Sequence, residues 1–109
     1  MTDSVALGDE EAAIVRNVLA AHLPKGAQAF IFGSRAVGGA RPYSDLDLAL
    51  AWDRPLSFDV LGQIAEALSE SDLPYKVDIV DLAAIELAFR ERIRSSCVPF
   101  EIGDPHPAR

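Results

Sequence analysis

The sequence predicts an α/β fold in which a small sheet of three to four strands packs against helices. Three observations carry this. Apolar residues recur at helical spacing in three stretches, short apolar runs bounded by glycine or proline separate them, and one run alternates strictly between leucine and acid or alanine.

In chain order, Asp9, Glu10 and Glu11 place negative charge where a helix N-terminus wants it. Ile14, Val15, Val18, Leu19 and Leu23 then recur at helical spacing, and Pro24 and Gly26 supply a stop signal, which predicts a helix over residues 9–23. Ala27 to Phe32 is short, apolar and bounded by Gly26 and Gly33, as expected of a buried strand, and Gly33-Ser34 turns the chain. From Asp45 to Ala51, Leu46, Leu48 and Leu50 fall on one face and Asp45, Asp47, Ala49 and Ala51 on the other, so a second strand carries acids on one side. Ser57 is a fitting cap for an amphipathic helix with Phe58, Leu61, Ile64, Ala65 and Leu68 on one side and Asp59, Gln63, Glu66 and Glu70 opposite. After Pro74, Tyr75 to Asp81 reads as a third strand in which Val77 and Ile79 share the face of Tyr75 while Asp78 points the other way. Ile85, Phe89 and Ile93 predict a last helix at about 83–95, and Val98 to Ile102 an edge strand where Pro99 is tolerable.

The chain of 109 residues is expected to form one domain over 1–109 with its core at about 9–102, since no repeat, linker or low-complexity tract divides it. At this size folding buries roughly 65% of the unfolded surface, enough for one core and too little for a two-domain enzyme. Ten basic against 17 acidic residues give a net charge of -7, which argues against non-specific nucleic-acid binding and favours a basic partner surface or a metal ion. Cys97 is the sole cysteine, which excludes an intrachain disulfide and a thiolate zinc site. The acidic start lacks the apolar region of a signal peptide, and no window approaches the ~18 apolar residues of a membrane span, so a cytoplasmic protein is expected.

Side chains at i and i+2 of a strand point the same way, which sets the Cα atoms of Asp45 and Asp47 roughly 6.6 Å apart and lets their carboxylates converge on one or two metal ions. Two carboxylates that close repel unless a proton or a cation intervenes. Alone, such a pair reads equally as a turn cap beside a solvated residue. Upstream, however, Gly33-Ser34 follows a strand and opens a helix or turn, so that backbone N–H groups and the Ser34 hydroxyl can cradle a phosphate. Asp78, returned by a strand–helix–strand connection, would add a third carboxylate, whereas Asp81 is expected to cap the following helix. Three carboxylates beside a phosphate cradle suit two Mg²⁺ ions and in-line phosphoryl or nucleotidyl transfer.

At these residues the sequence resembles a known family. Gly33-Ser34-Arg35-Ala36, Gly38 and Ser44-Asp45-Leu46-Asp47-Leu48 resemble the G-S-x-A-x-G…S-D-x-D-L signature of the minimal nucleotidyltransferases, the smallest members of the DNA polymerase β superfamily. The resemblance extends over about residues 26–95 and implies a polymerase β-like core with a small mixed sheet. It makes Gly33 and Ser34 phosphate contacts, Asp45, Asp47 and Asp78 ligands of Mg²⁺, Asp78 also the general base, and ATP the substrate. Many such chains are antitoxins of a HEPN-domain ribonuclease toxin, which they silence by transferring AMP to a tyrosine. Val37 stands where many relatives carry Arg. The expected function is therefore a protein adenylyltransferase antitoxin. The alternative is a non-catalytic antitoxin that acts by occlusion, for which three intact acids would be superfluous. A nucleotidyltransferase for antibiotics would lack its usual substrate domain.

Among the remaining candidates, Arg35 is expected either to contact the triphosphate or to pair with an acid. Arg41 and Tyr43 suit a solvated loop, Arg90 and Arg94 a solvated helix face, and Lys76 a charge partner of Asp78. Trp52 reads as core, His22 and His106 as a helix-end and a tail residue, and Cys97 as inert.

Overall fold

The computed structural model describes residues 7–37 and 44–102. Along the chain these form α1 (Asp9–His22), β1 (Gln28–Phe32), α2 (Ser34–Val37), β2 (Leu46–Ala51), α3 (Phe58–Ser69), β3 (Val77–Asp81), α4 (Leu87–Ser96) and β4 (Val98–Phe100). The four strands make one sheet in the order β3-β2-β1-β4. β1 runs antiparallel to both β2 and β4, whereas β2 and β3, joined through α3, run parallel. The sheet is therefore mixed, as expected. Pro99 lies on the edge strand β4, where a missing N–H costs least.

Strand alternation assigns the two faces. Ala29, Ile31, Leu46, Leu48 and Leu50 pack with Val15 and Leu19 of α1 and Ile64 and Leu68 of α3 in the main core. The three leucines are completely buried, as is Ala49 on the opposite face. There Ala49 joins Ile93 of α4 and Leu82, with Phe30 and Val80 against them. Only this second face can display the acids that alternate with the leucines.

Local signals set the helix ends. The Glu11 carboxylate accepts the Gly8 N–H at 3.3 Å, and Gly26, at φ +90°, completes the stop after α1. Ser57 caps α3 by accepting the Val60 N–H. The apolar stripe of α3 is narrower than the sequence suggests: Ile64 and Leu68 are buried, Ala65 is exposed, and Phe58 is 91% exposed. At the first helical position a side chain leans back toward the N-terminus, where Phe58 finds no core beneath it.

The last helix starts at Leu87 rather than near residue 83, because Asp81 builds a turn there. The carbonyl of Asp81 accepts the Ala84 N–H at 2.9 Å and its carboxylate accepts the Ala83 N–H at 3.0 Å. The same carboxylate takes the Leu56 N–H at 2.8 Å, so Asp81, 5% exposed, caps a turn and ties down the segment after β2 instead of capping a helix. Ile85 consequently lies before α4, not on it. Trp52 meets expectation, packing on the core while its indole N–H donates to the Lys25 carbonyl. Among the described residues no helix is long and apolar enough to cross a membrane.

Replacing Asp81 by alanine leaves two sheltered N–H groups without their acceptor, and each such group costs about 1–3 kcal/mol. Asp81→Ala is expected to lower unfolding stability by about 3 kcal/mol in urea titrations, with an unchanged denaturant slope.

Candidate active site

The site begins where β1 ends. Phe32 pairs in register with Asp47 of β2, and Gly33 then turns the chain into α2 with φ +79°. A Cβ at Gly33 would collide with the Asp47 carboxylate, whose Cγ would lie only 3.2 Å away. Glycine is thus required twice, for its positive φ and for the close approach of an acid. The turn closes with the Ala36 N–H on the Gly33 carbonyl at 3.0 Å, and Ser34 opens α2 beside it.

Parallel pairing places Asp47 directly opposite Asp78 of β3. Asp45 stands exposed just ahead of β2. Burial raises the Asp47 pKa above its usual range, and the charges of Asp78 and Asp45 push it in the same direction. The three acids therefore share one electrostatic neighbourhood, with Asp47 feeling both of the others. Among the described residues, no three acids, histidines or cysteines close into a ready cation cage. The expected convergence is one of neighbourhood rather than of finished coordination.

Asp78 owes its place to strand register. Its side chain is 48% exposed, so the cost of burying an unpaired acid does not single it out; its register opposite Asp47 does. Lys76 is its charge partner, with Nζ 3.9 Å from Oδ1, and at this exposure the pair is weak.

Arg35 makes contacts that its sequence position did not suggest. The side chain is 4% exposed, and Nε and Nη2 both donate to the Ser44 carbonyl, at 3.1 and 2.7 Å. Its guanidinium carbon lies 3.9 Å from the centroid of the Tyr75 ring, whose hydroxyl donates to Glu11 Oε1 at 2.8 Å. Sequence reasoning missed Tyr75 as part of this cluster, having read it only as a strand residue sharing the face of Val77 and Ile79. It precedes β3, and its pKa is pushed up by burial and then by the bond to Glu11, which keeps the phenol a donor.

Phe32 also meets Phe89 of α4 edge-on, centroids 6.5 Å apart, on the face that carries Asp47. Arg90 departs from the solvated reading, since its Nε is sheltered and has no hydrogen-bond partner among the described residues. Gly38, Arg41, Tyr43 and His106 lie outside the described residues.

With this geometry in place, known proteins supply the context. The family model for polymerase beta, nucleotidyltransferase, matches residues 15–99. The chain is 47% identical over 85 residues to a Haemophilus influenzae protein named as a probable protein adenylyltransferase, MntA, a match covering 78% of this chain and 74% of that one. In fold it resembles a toxin–antitoxin crystallised with AMP-PNP, with TM-score 0.71 at 23% identity over 83% of this chain and 72% of that one. It also resembles a complex of a tri-AMPylated Shewanella oneidensis HEPN toxin with an MNT antitoxin, with TM-score 0.61 at 23% identity over 83% and 71% of the two chains.

Two substitutions test the contact between turn and acid. Gly33→Ala is expected to lower the melting temperature, because alanine is strained at positive φ and meets Asp47. Asp47→Asn is expected to raise it at pH 7 in metal-free buffer. A native pKa above the unfolded one means that the native state holds the proton more tightly, so wild-type stability falls as pH rises from the usual aspartate range through the raised value. The advantage of Asp47→Asn should therefore shrink as pH is lowered through that window, in melting curves recorded from pH 7 to 3.

Proposed function

The chain belongs to the polymerase β nucleotidyltransferase family, and on that premise we propose that it transfers AMP from ATP to a tyrosine hydroxyl of a HEPN ribonuclease toxin, acting as its antitoxin in the cytoplasm. The observation that carries this reading is the Asp47 carboxylate set against the Gly33 turn and directly opposite Asp78. It sets a side-chain-free turn directly against one of two acids that face each other on adjacent strands.

The donor set suits Mg²⁺. Asp45, Asp47 and Asp78 offer only hard carboxylate oxygens, and the Asp47 pKa, raised first by burial and then by the charges of Asp78 and Asp45, marks a carboxylate that a divalent cation would help to ionise. These three acids would hold the metal, two ions in the full assembly, which would neutralise charge on the triphosphate and favour attack at its α-phosphorus.

The chain's own groups do the rest. In this reading Gly33, at positive φ, and Ser34, which opens α2, contact the phosphates, the serine through its hydroxyl. Asp78, half exposed at the edge strand of the sheet, is reachable by an incoming protein side chain and accepts the proton of the attacking hydroxyl. A bond forms from that oxygen to the α-phosphorus as the bond to the pyrophosphate oxygen breaks, and pyrophosphate leaves. A net charge of -7 suits a basic face on the partner and disfavours RNA as the molecule bound.

Intact-mass spectra of the HEPN partner, after incubation with this chain, ATP and Mg²⁺, should show added AMP units. Asp45→Asn combined with Asp47→Asn should leave the partner mass unchanged, and Asp78→Asn should slow transfer by about 10²–10⁴-fold. Equal silencing of the partner by wild type and double variant, without added mass, would establish occlusion and sink the enzymatic reading.

A further inference from the structure

We propose that Arg35 is a positioning residue, whose buried guanidinium, bonded to the Ser44 carbonyl and stacked on Tyr75, holds the Gly33 turn, the Asp45–Asp47 pair and the Asp78 strand in one arrangement. The inference rests on the reading of these acids as the transfer site.

A guanidinium removed from water is costly and is retained only where its contacts recover the loss. Those of Arg35 reach both acid-bearing segments. Arg35 follows Ser34 directly, and its fork closes on the carbonyl of Ser44, the residue before Asp45. One side chain thus bridges two segments nine positions apart, the turn and the acid pair, so a displacement of Ser44 carries Asp45 and Asp47 with it. On its other side lies the ring of Tyr75, three residues before Asp78. At the same level the Leu46 N–H donates to the Lys76 carbonyl at 2.9 Å, so the starts of β2 and β3 are paired where Arg35 bears on both. Tyr75 is in turn held by Glu11, which also accepts the Gly8 N–H, and this anchors the ring to the first turn of α1. Lysine cannot replace the arrangement: its ammonium lacks the planar fork that bonds a carbonyl through two nitrogens while lying flat on a ring.

Arg16 is a built-in control. It too donates to a backbone carbonyl, that of Glu101 at 3.2 Å, and stacks at 5.7 Å on Phe100, but at the β4 side of the sheet, away from the acids. Arg16 and Arg35 share a kind of contact and differ in what the contact holds.

The test compares AMP transfer to the HEPN partner by the wild type, Arg35→Lys, Tyr75→Leu, their double variant and Arg16→Lys, each assayed well below its own melting temperature. Misplaced reacting groups cost rate more than binding, so Arg35→Lys and Tyr75→Leu should each lower kcat about tenfold or more, with KM for ATP within about threefold of wild type. The double variant should lose little beyond the worse single one, because both remove the same support. Arg16→Lys should keep the wild-type kcat. A folded Arg35→Lys with wild-type kcat, fully additive losses in the double variant, or a loss confined to KM would each overturn the inference while leaving the transfer reading intact. If Arg35→Lys does not fold, Tyr75→Leu alone decides, since it spares the Ser44 bonds and removes the stack together with the Glu11 bond that anchors it. Absence of transfer by the wild type would overturn both readings.

Discussion

The site depends on a register. Leu46, Leu48 and Leu50 are completely buried between the sheet and helices α1 and α3, and each contributes roughly 2 kcal/mol by leaving water. Because side chains alternate along a strand, those three burials force Asp47 onto the opposite face. A slip of one residue would bury the acid and expose the leucines, so the register cannot drift. The pairing that follows sets Asp47 opposite Phe32 on one side and Asp78 on the other. Apolar packing on one face therefore holds acidic groups together on the other, against their own repulsion.

That repulsion is the electrostatic signature of the site. Asp47 resists ionisation because it is partly buried beside two other acids, whereas Asp81, more deeply buried, is satisfied by two backbone N–H groups. Asp78 and Asp81 are three residues apart on the same strand, yet one is half exposed in an acidic cluster and the other is a structural tie. Residue type does not separate them. Strand face and hydrogen-bond partners do.

The two arginines that bond a carbonyl and lie over a ring show the same dependence on place. Arg35 works between segments that carry the turn and the acids, and Arg16 between a helix and an edge strand. A minimal domain has few layers in which to fix reacting groups, and one planar cation that bonds forward and stacks sideways replaces a larger scaffold. Its support continues through Tyr75 and Glu11 into α1, so the helix that packs the core also steadies the site.

Local sequence alone determined the main elements, the buried leucine face, the Gly33-Ser34 turn and the pairing of acids at Asp45 and Asp47, because periodicity of two or of about 3.6 and the φ demands of glycine are properties of neighbouring residues. It also located Asp78 as an acid on the face opposite Val77 and Ile79. Only the tertiary structure decided that Asp78 stands across from Asp47, that Gly33 must lack a side chain because Asp47 fills the space, that Asp81 starts a turn instead of a helix, and that Phe58 faces solvent. Arg35 is the sharpest case: its motif position left a phosphate contact and an acid pair open, and the fold adds a carbonyl nine residues on and a ring forty residues on as partners. Contacts between segments distant in the chain depend on how strands are ordered and paired, which no local pattern encodes.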